Sequence, residues 1–208
     1  MISNLAAGAD AFTSNAFLVA GDRTVLVDAG ADFDVVGEID GALDDTTLDD
    51  AAGGDATAAD ALDAVVLTHT HPDHVGNIPA VRDAFDVEVW GYDADHDAVD
   101  HELDDGDTVV LGDHEYRALY TPGHAPDHLC LYADGCSTLF AGDLVFQNGS
   151  FGRTDLPGGD RRTLVESIVR VLDVIDEGLA ALHVGHGPSV TDDAYRHVDA
   201  AARAARSH

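Results

Sequence analysis

At 208 residues, 45% of them hydrophobic, the chain is long enough for one domain with a substantial core. Its formal net charge of −30, from 40 acidic residues against 10 basic ones, leaves no basic stripe to neutralise phosphates and argues against nucleic acid as a partner. The acids are dispersed along a chain too hydrophobic for a disordered acidic polymer.

Residues 16–20 and 24–27 read as paired strands joined by Gly21-Asp22, and 33–43 as a helix. Residues 44–61 are poor in large apolar side chains and hold Gly53-Gly54 among Asp residues, which predicts an acidic surface insertion within a single domain spanning 1–208. Ala64-Val65-Val66-Leu67 is a short buried strand, and 77–85 a helix with Pro79 in its first turn. Further strands are expected at 87–91, 109–111 and 115–120, then a hairpin of 129–132 and 138–141 turning at Ala133-Asp134-Gly135. Leu164, Val165, Ile168, Val171, Leu172 and Ile175 space one buried face of a helix over 161–175. A last strand at 182–184 precedes a helix over 192–205, with Thr191 as its N-cap. Strand-rich halves with interspersed helices make an α+β domain. No apolar run approaches the ~20 residues of a membrane helix, and Met1-Ile2-Ser3-Asn4 lacks the basic start of a signal peptide, so a cytoplasmic protein away from membranes is expected.

Thr68-His69-Thr70-His71-Pro72-Asp73-His74 follows the strand at 64–67 and packs four potential metal ligands into six residues. Imidazole and carboxylate donors suit Zn²⁺, Fe²⁺ and Mn²⁺, and a strand end gives them a rigid base. His69 and His71 reach one ion; Asp73 and His74, half a turn on, reach a second. Thr121-Pro122-Gly123-His124, Leu139-Phe140-Ala141-Gly142-Asp143 and Val184-Gly185-His186-Gly187-Pro188 each end a strand on a further donor. Any one alone is ordinary turn chemistry; with the first motif they form one constellation.

That order of His69, His71, Asp73, His74, His124, Asp143 and His186 resembles the metallo-β-lactamase superfamily over nearly the whole chain, with no ligand position substituted. The resemblance implies an αββα sandwich with the metals at one edge. It implies two divalent ions, zinc first with iron or manganese as alternatives: His69, His71 and His124 on metal 1, Asp73, His74 and His186 on metal 2, Asp143 bridging. Val25-Leu26-Val27-Asp28-Ala29-Gly30 looks like the family's first motif, whose Asp (here Asp28) supports the ligand loop without binding metal. The segment from Phe146 to Asp160, with Gly152-Arg153-Thr154-Asp155 and Leu156-Pro157-Gly158-Gly159-Asp160, is similar to small glyoxalase II-like hydrolases, although Gly-Arg-Thr-Asp also occurs in persulfide dioxygenases. A cysteine usually replaces Asp143 in true β-lactamases, so a β-lactam substrate is not expected. The absence of Lys and the abundance of Asp look like a protein of an extreme halophile, in which salt screens the self-repulsion.

The implied chemistry is hydrolysis of a small-molecule thioester: a metal-bridged hydroxide attacks the carbonyl, and the thiolate leaves without a strong general acid. Asp73 carries the catalytic role, holding metal 2 and orienting the water. Thr154 and Asp155 brace the loop beneath the site; Arg153 either pairs with a substrate carboxylate or forms an internal ion pair. A mononuclear-iron persulfide dioxygenase is the leading alternative. A lactonase-type ester hydrolase and a non-catalytic metal-binding protein carry less weight. Larger glyoxalase II proteins grip glutathione with basic residues of a C-terminal helical domain; only 22 residues follow His186 here, with no Lys, which puts glutathione recognition in doubt. His128 is read as a packing or solvated residue near His124, and His96, His101, His114, His183, His197 and His208 as surface or packing residues. Tyr120 and Phe146 either line the pocket or pack in the core. Cys130 is read as a small strand residue, and no disulfide with Cys136 is expected.

Overall fold

A computed structural model describes residues 1–47 and 61–207. Two mixed sheets stand back to back. The first runs in the order β1 (Ile2–Asn4), β2 (Phe17–Val19), β3 (Val25–Val27), β4 (Ala64–Val66), β5 (Val89–Gly91), β6 (His101–Glu102); the second in the order β11 (Ala181–His183), β10 (Thr138–Phe140), β9 (Leu129–Ala133), β8 (His114–Tyr120), β7 (Thr108–Leu111). Antiparallel pairing of β1 to β3 gives way to parallel pairing of β3 through β6, and β10 pairs parallel with β11.

Period-two alternation sorts the strand residues into three cores. Phe17, Val19, Val25, Val27 and Val66 meet Leu111, Tyr116, Leu129, Leu131 and Phe140 between the sheets. Their neighbours Leu18, Leu26, Val65 and Leu67 point outward and pack on α1 (Val35–Thr47) and α3 (Ile78–Phe85) through Val35, Ile39, Ile78, Val81 and Phe85. On the far side Leu119, Cys130, Tyr132 and Leu139 pack on α4 (Arg161–Leu172) and α5 (Ala194–Ser207). The architecture is therefore an αββα sandwich, as expected. No helix among the described residues is long and apolar enough to cross a membrane.

Boundaries differ where local chemistry overrides periodicity. The helix expected at 161–175 ends at Leu172, although Ile175 still joins the same core; it starts behind Asp160, whose side chain accepts from the Thr163 amide at 2.7 Å. The helix expected over 192–205 begins at Ala194, so Thr191 does not cap it: Asp193 sits at φ 52°, a left-handed residue that interrupts helical geometry there. Of the acidic stretch read at 44–61, the first four residues end α1 and 48–60 lie outside the described residues.

Candidate metal centre

The strand order brings five loops to one edge. β3 runs into Asp28, β4 into the segment 68–74, β8 into 121–124, β10 into 141–143 and β11 into 184–186. After β4, Pro72 opens the one-turn helix α2 (Pro72–Val75), which turns Asp73 and His74 back toward the strand ends.

Seven side chains converge there. His71 Nδ1 lies 3.0 Å from both His69 Nε2 and His124 Nε2. A tetrahedral ion with bonds of about 2.0–2.1 Å spaces its nitrogens by about 3.3 Å, so this trio needs only a slight opening to hold one. Asp73 Oδ2 stands 3.2 Å from His186 Nε2, and the donor atoms of Asp73, His74 and His186 fall within 4.8 Å of one another. Asp143 lies between the two sets, its Oδ2 3.4 Å from both His124 Nε2 and His186 Nε2 and its Oδ1 3.5 Å from His74 Nε2. His74 Nε2 and Asp143 Oδ1 are buried and, beyond this long contact with each other, have no hydrogen-bond partner among the described residues. A buried acceptor and a buried nitrogen that close, with the His69, His74 and Asp143 donor atoms within 4.8 Å of one another, fit a cation that they could ligate.

An outer layer fixes the ring orientations. His74 Nδ1 donates to Asp28 Oδ2 at 2.9 Å, and Asp28 also accepts from the Thr68 amide and hydroxyl, each at 2.8 Å. Since the Thr68 hydroxyl proton goes to Asp28, the contact of 3.1 Å from His69 Nδ1 to Thr68 Oγ1 is donated by the ring. His124 Nδ1 donates to the Arg153 carbonyl at 2.8 Å. With Nδ1 engaged in these bonds, each of the three rings turns Nε2 toward the cluster, the atom that would take a metal ion once any proton on it is displaced.

The electrostatics point the same way. Burial, aided by the neighbouring His74, holds the His69 pKa well below its ordinary value, and burial beside His124 lowers that of His71. On His74 burial works against a charge, yet Asp28 and Asp143 outweigh it and push the pKa up to about 10. Asp143 and Asp73 push His186 up to about 9. Burial opposes ionisation of Asp143, but His186 and His74 hold its carboxyl well below the ordinary range. The carboxylates thus draw positive charge into the cluster: protons on His74 and His186, or a metal ion that displaces them.

Asp28, expected to support the ligand loop, is hydrogen-bonded to His74 and Thr68. Thr154 and Asp155, expected to brace the loop beneath the site, make no side-chain hydrogen bond to the cluster among the described residues, and of the two readings of Arg153 the structure shows the ion pair. The loop does brace His124, but through the Arg153 backbone carbonyl. The Arg153 guanidinium instead grips Asp155 through two bonds of 2.7 Å, with side chains 61% and 69% exposed, so Asp155 faces solvent and does not lie beneath the site. Thr154 is half-buried next to them. Phe146 lines the cleft over the cluster; Tyr120 instead stacks on Tyr92 at 4.2 Å, away from it.

Four residues in or beside the site go beyond the sequence reading. His128 is fully buried: its Nε2 accepts from the Asp143 amide at 3.0 Å, its Nδ1 donates to Thr121 Oγ1 at 2.8 Å, and burial pushes its pKa down to about 3. The His-x3-His spacing with His124 was the available signal. Asp127 accepts from the Thr70 amide and hydroxyl, clamping the ligand loop. Asn15 Nδ2 donates to the carbonyls of Val184 and Gly187, fixing the loop that carries His186. Phe12 stands at the mouth of the cleft. Nothing local in the sequence marks the last three.

Above the cluster opens a cleft of about 870 Å³, walled by Phe12, Phe146, Phe151, Leu156 and Pro157 together with ligand residues. Its size suits a small-molecule substrate.

A fold of two back-to-back sheets with paired His/Asp donor sets at one edge defines a class of metal-dependent proteins. The profile of the Metallo-beta-lactamase superfamily matches residues 9–192, and the chain belongs to that superfamily. It is 30% identical over 152 residues to hydroxyacylglutathione hydrolase GloC of Haemophilus influenzae, covering 62% of this chain and 71% of that one. Among solved structures it resembles BLEG-1 B3 metallo-beta-lactamase (TM-score 0.72, 27% identity, 92% of this chain and 94% of that chain). It also resembles TTHA1623 in a di-iron-bound form (TM-score 0.67, 31% identity, 89% and 93%).

Proposed function

We propose that the protein is a two-metal hydrolase of thioesters. The observation that carries this reading is Asp143 standing between two complete donor sets, 3.4 Å from both His124 Nε2 and His186 Nε2. The similarity to a hydroxyacylglutathione hydrolase supports the thioester, and that to a di-iron-bound protein supports two ions. His69, His71 and His124 would hold one ion, Asp73, His74 and His186 the other, with Asp143 shared. When bound, divalent ions supply a water acidified to near neutrality and a Lewis acid for the carbonyl.

The chain's own residues do the rest. Asp73 lines the cleft in the first turn of α2 and presents its carboxylate to His186, where its oxygen can hold the proton of the attacking water. His69, His74 and His124 keep their Nε2 atoms fixed through Thr68, Asp28 and the Arg153 carbonyl, so little reorganisation accompanies the reaction. Water adds to the acyl carbon, the C–S bond breaks, and the thiol departs as a thiolate, which is stable enough near its pKa of about 8.5 to need no protein acid. The charge balance is that of a protein built to work in concentrated salt.

The test is release of free thiol from a panel of thioesters by protein reconstituted with zinc, iron or manganese at molar salt, alongside lactones, a β-lactam and a persulfide. Thiol release that depends on metal is the expected result. Oxygen consumption with the persulfide and no thiol release from any thioester would overturn the proposal in favour of a dioxygenase.

A further inference from the structure

We infer that the substrate of this cleft is a thioester uncharged on both sides of the reacting carbonyl, with at least one long apolar arm. This deepens the thioester reading and rests on it. The cleft has two flanks. On the His186 side stand Phe12, its ring 6.2 Å from the His186 ring, and Phe146, likewise at 6.2 Å. On the His124 side the chain after Arg153 contributes Leu156 and Pro157, with Phe151 beside them. Both flanks therefore carry apolar surface next to the ligand cluster, where an acyl chain or a thiol substituent would lie. Apart from Arg153, the polar residues sharing that lining outside the cluster, Gln147, Asn148 and Ser150, are neutral.

What these flanks lack is a cation for an anionic carrier. The chain has no Lys, and its ten basic residues are all Arg within the described segments. Arg153 is the one arginine that lines the cleft, and its guanidinium is committed to Asp155 by two hydrogen bonds. Arg161 stacks its guanidinium over the Phe151 ring at 3.9 Å and does not line the cleft. A carrier with carboxylates or phosphates would find no unpaired arginine among the residues lining the cleft, only the neutral Gln147, Asn148 and Ser150, and would meet Asp73. Salt screens the chain's overall negative field but does not supply the missing contact.

Phe12 supplies the independent observation. It is 83% exposed and, with Met1, one of two large hydrophobic side chains left exposed among the described residues. Met1 is at the chain start; Phe12 is at the mouth of the cleft, stacked toward a ligand histidine. An aromatic ring held out in water beside a reaction centre gains its contact area only when an apolar arm lies along it.

The experiment compares kcat/KM of the metal-loaded enzyme at molar salt for acetyl and hexanoyl thioesters of N-acetylcysteamine, a neutral thiol, and for hexanoyl and hydroxyacyl thioesters of glutathione. Each buried methylene is worth about fourfold, so the hexanoyl N-acetylcysteamine ester, with four more methylenes, should exceed the acetyl ester by up to about 250-fold, and by about 30-fold if only two or three of them are buried. It should also exceed both glutathione esters by about tenfold, the loss expected when charged groups meet no partner. F12A should cut the hexanoyl-to-acetyl ratio by about fivefold and F12L restore most of it, since leucine returns the apolar area. A preference for either glutathione ester, or a chain-length ratio unchanged in F12A, overturns the inference while leaving the thioester reading intact. If no thioester is cleaved, that reading falls separately, and calorimetry with inert thioethers decides the inference. Tighter binding of S-hexyl-N-acetylcysteamine than of S-hexylglutathione, weakened by F12A, supports it; equal or reversed affinities overturn it.

Discussion

His74 Nδ1 donates to Asp28 Oδ2 across 2.9 Å with both side chains buried, and the same carboxylate receives the Thr68 amide and hydroxyl. One aspartate outside the ligand set therefore aims His74 directly and His69 through Thr68. Asp28 sits at φ 56°, a conformation asparagine adopts readily. D28N should fold with its backbone unchanged yet bind metal about 10–100-fold more weakly, the usual effect of losing a carboxylate behind a ligating imidazole. Competition against a chelator measures this; an unchanged affinity would show that Asp28 serves the fold alone.

Gly185 precedes His186 and lies against Asp143. Its amide donates to Gly142 O and its carbonyl accepts from the Asn15 amide, each at 2.7 Å, so the backbone is pinned from both sides. A Cβ there would collide with the Asp143 carboxylate. G185A should displace Asp143, costing about 1–3 kcal/mol of stability as an overpacked site. The larger effect should be on the centre: bound metal falls below that of wild type and turnover drops by about 100-fold or more, as expected when reacting groups move by about 1 Å. Metal content and thiol release on the same sample check both.

His128 holds the Asp143 amide from beneath. H128L leaves that buried N–H without an acceptor, a loss of about 1–3 kcal/mol. H128Q offers an acceptor oxygen and should recover part of it. Denaturation midpoints of the three proteins in metal-free buffer make the comparison.

Acid sensitivity has a separate source in His183. Burial against Phe140 and Phe17 pushes its pKa down to about 4. A base depressed below its unfolded value near 6.5 is neutral in the fold while the unfolded chain takes up the proton first. Its contribution is therefore whole above pH 6.5 and is lost as pH falls toward 4, amounting to about 3 kcal/mol. H183F keeps an aromatic ring in the stack and should flatten the melting temperature between pH 6.5 and 4. An unchanged slope would assign the acid sensitivity elsewhere.

The seven donors were legible because chemistry at a strand end is written locally: a buried apolar run, a Gly or Pro turn, then His or Asp. The residues alone pointed to an α+β domain and the resemblance supplied the αββα layering, because Leu26 and Val27, or Val65 and Val66, are consecutive apolar residues and only the fold shows that they fall in different cores. Short edge strands such as Ile2–Asn4 and His101–Glu102 were not legible, because two or three half-exposed residues carry no periodic signal. Asn15 and Asp127 were also hidden. Asn15 acts on carbonyls about 170 positions away and Asp127 on Thr70, 57 positions away, and only the fold brings them together. Asp155 shows the opposite failure: read as bracing the loop by its side chain, it pairs in solvent with Arg153, the internal ion pair that was one of the two readings of that arginine, while the bracing contact comes from the Arg153 backbone carbonyl.

The central claim is a pair of metal ions sharing Asp143 and acting on one thioester. It is tested most directly by titrating metal-free protein with zinc, and separately with iron and manganese, while following bound metal by elemental mass spectrometry and thiol release in the same samples at molar salt. The account predicts that activity rises with the second equivalent and is complete at about two ions per chain, the stoichiometry of a two-metal site. Activity already complete at one ion, or two bound ions with no thiol released, would contradict it.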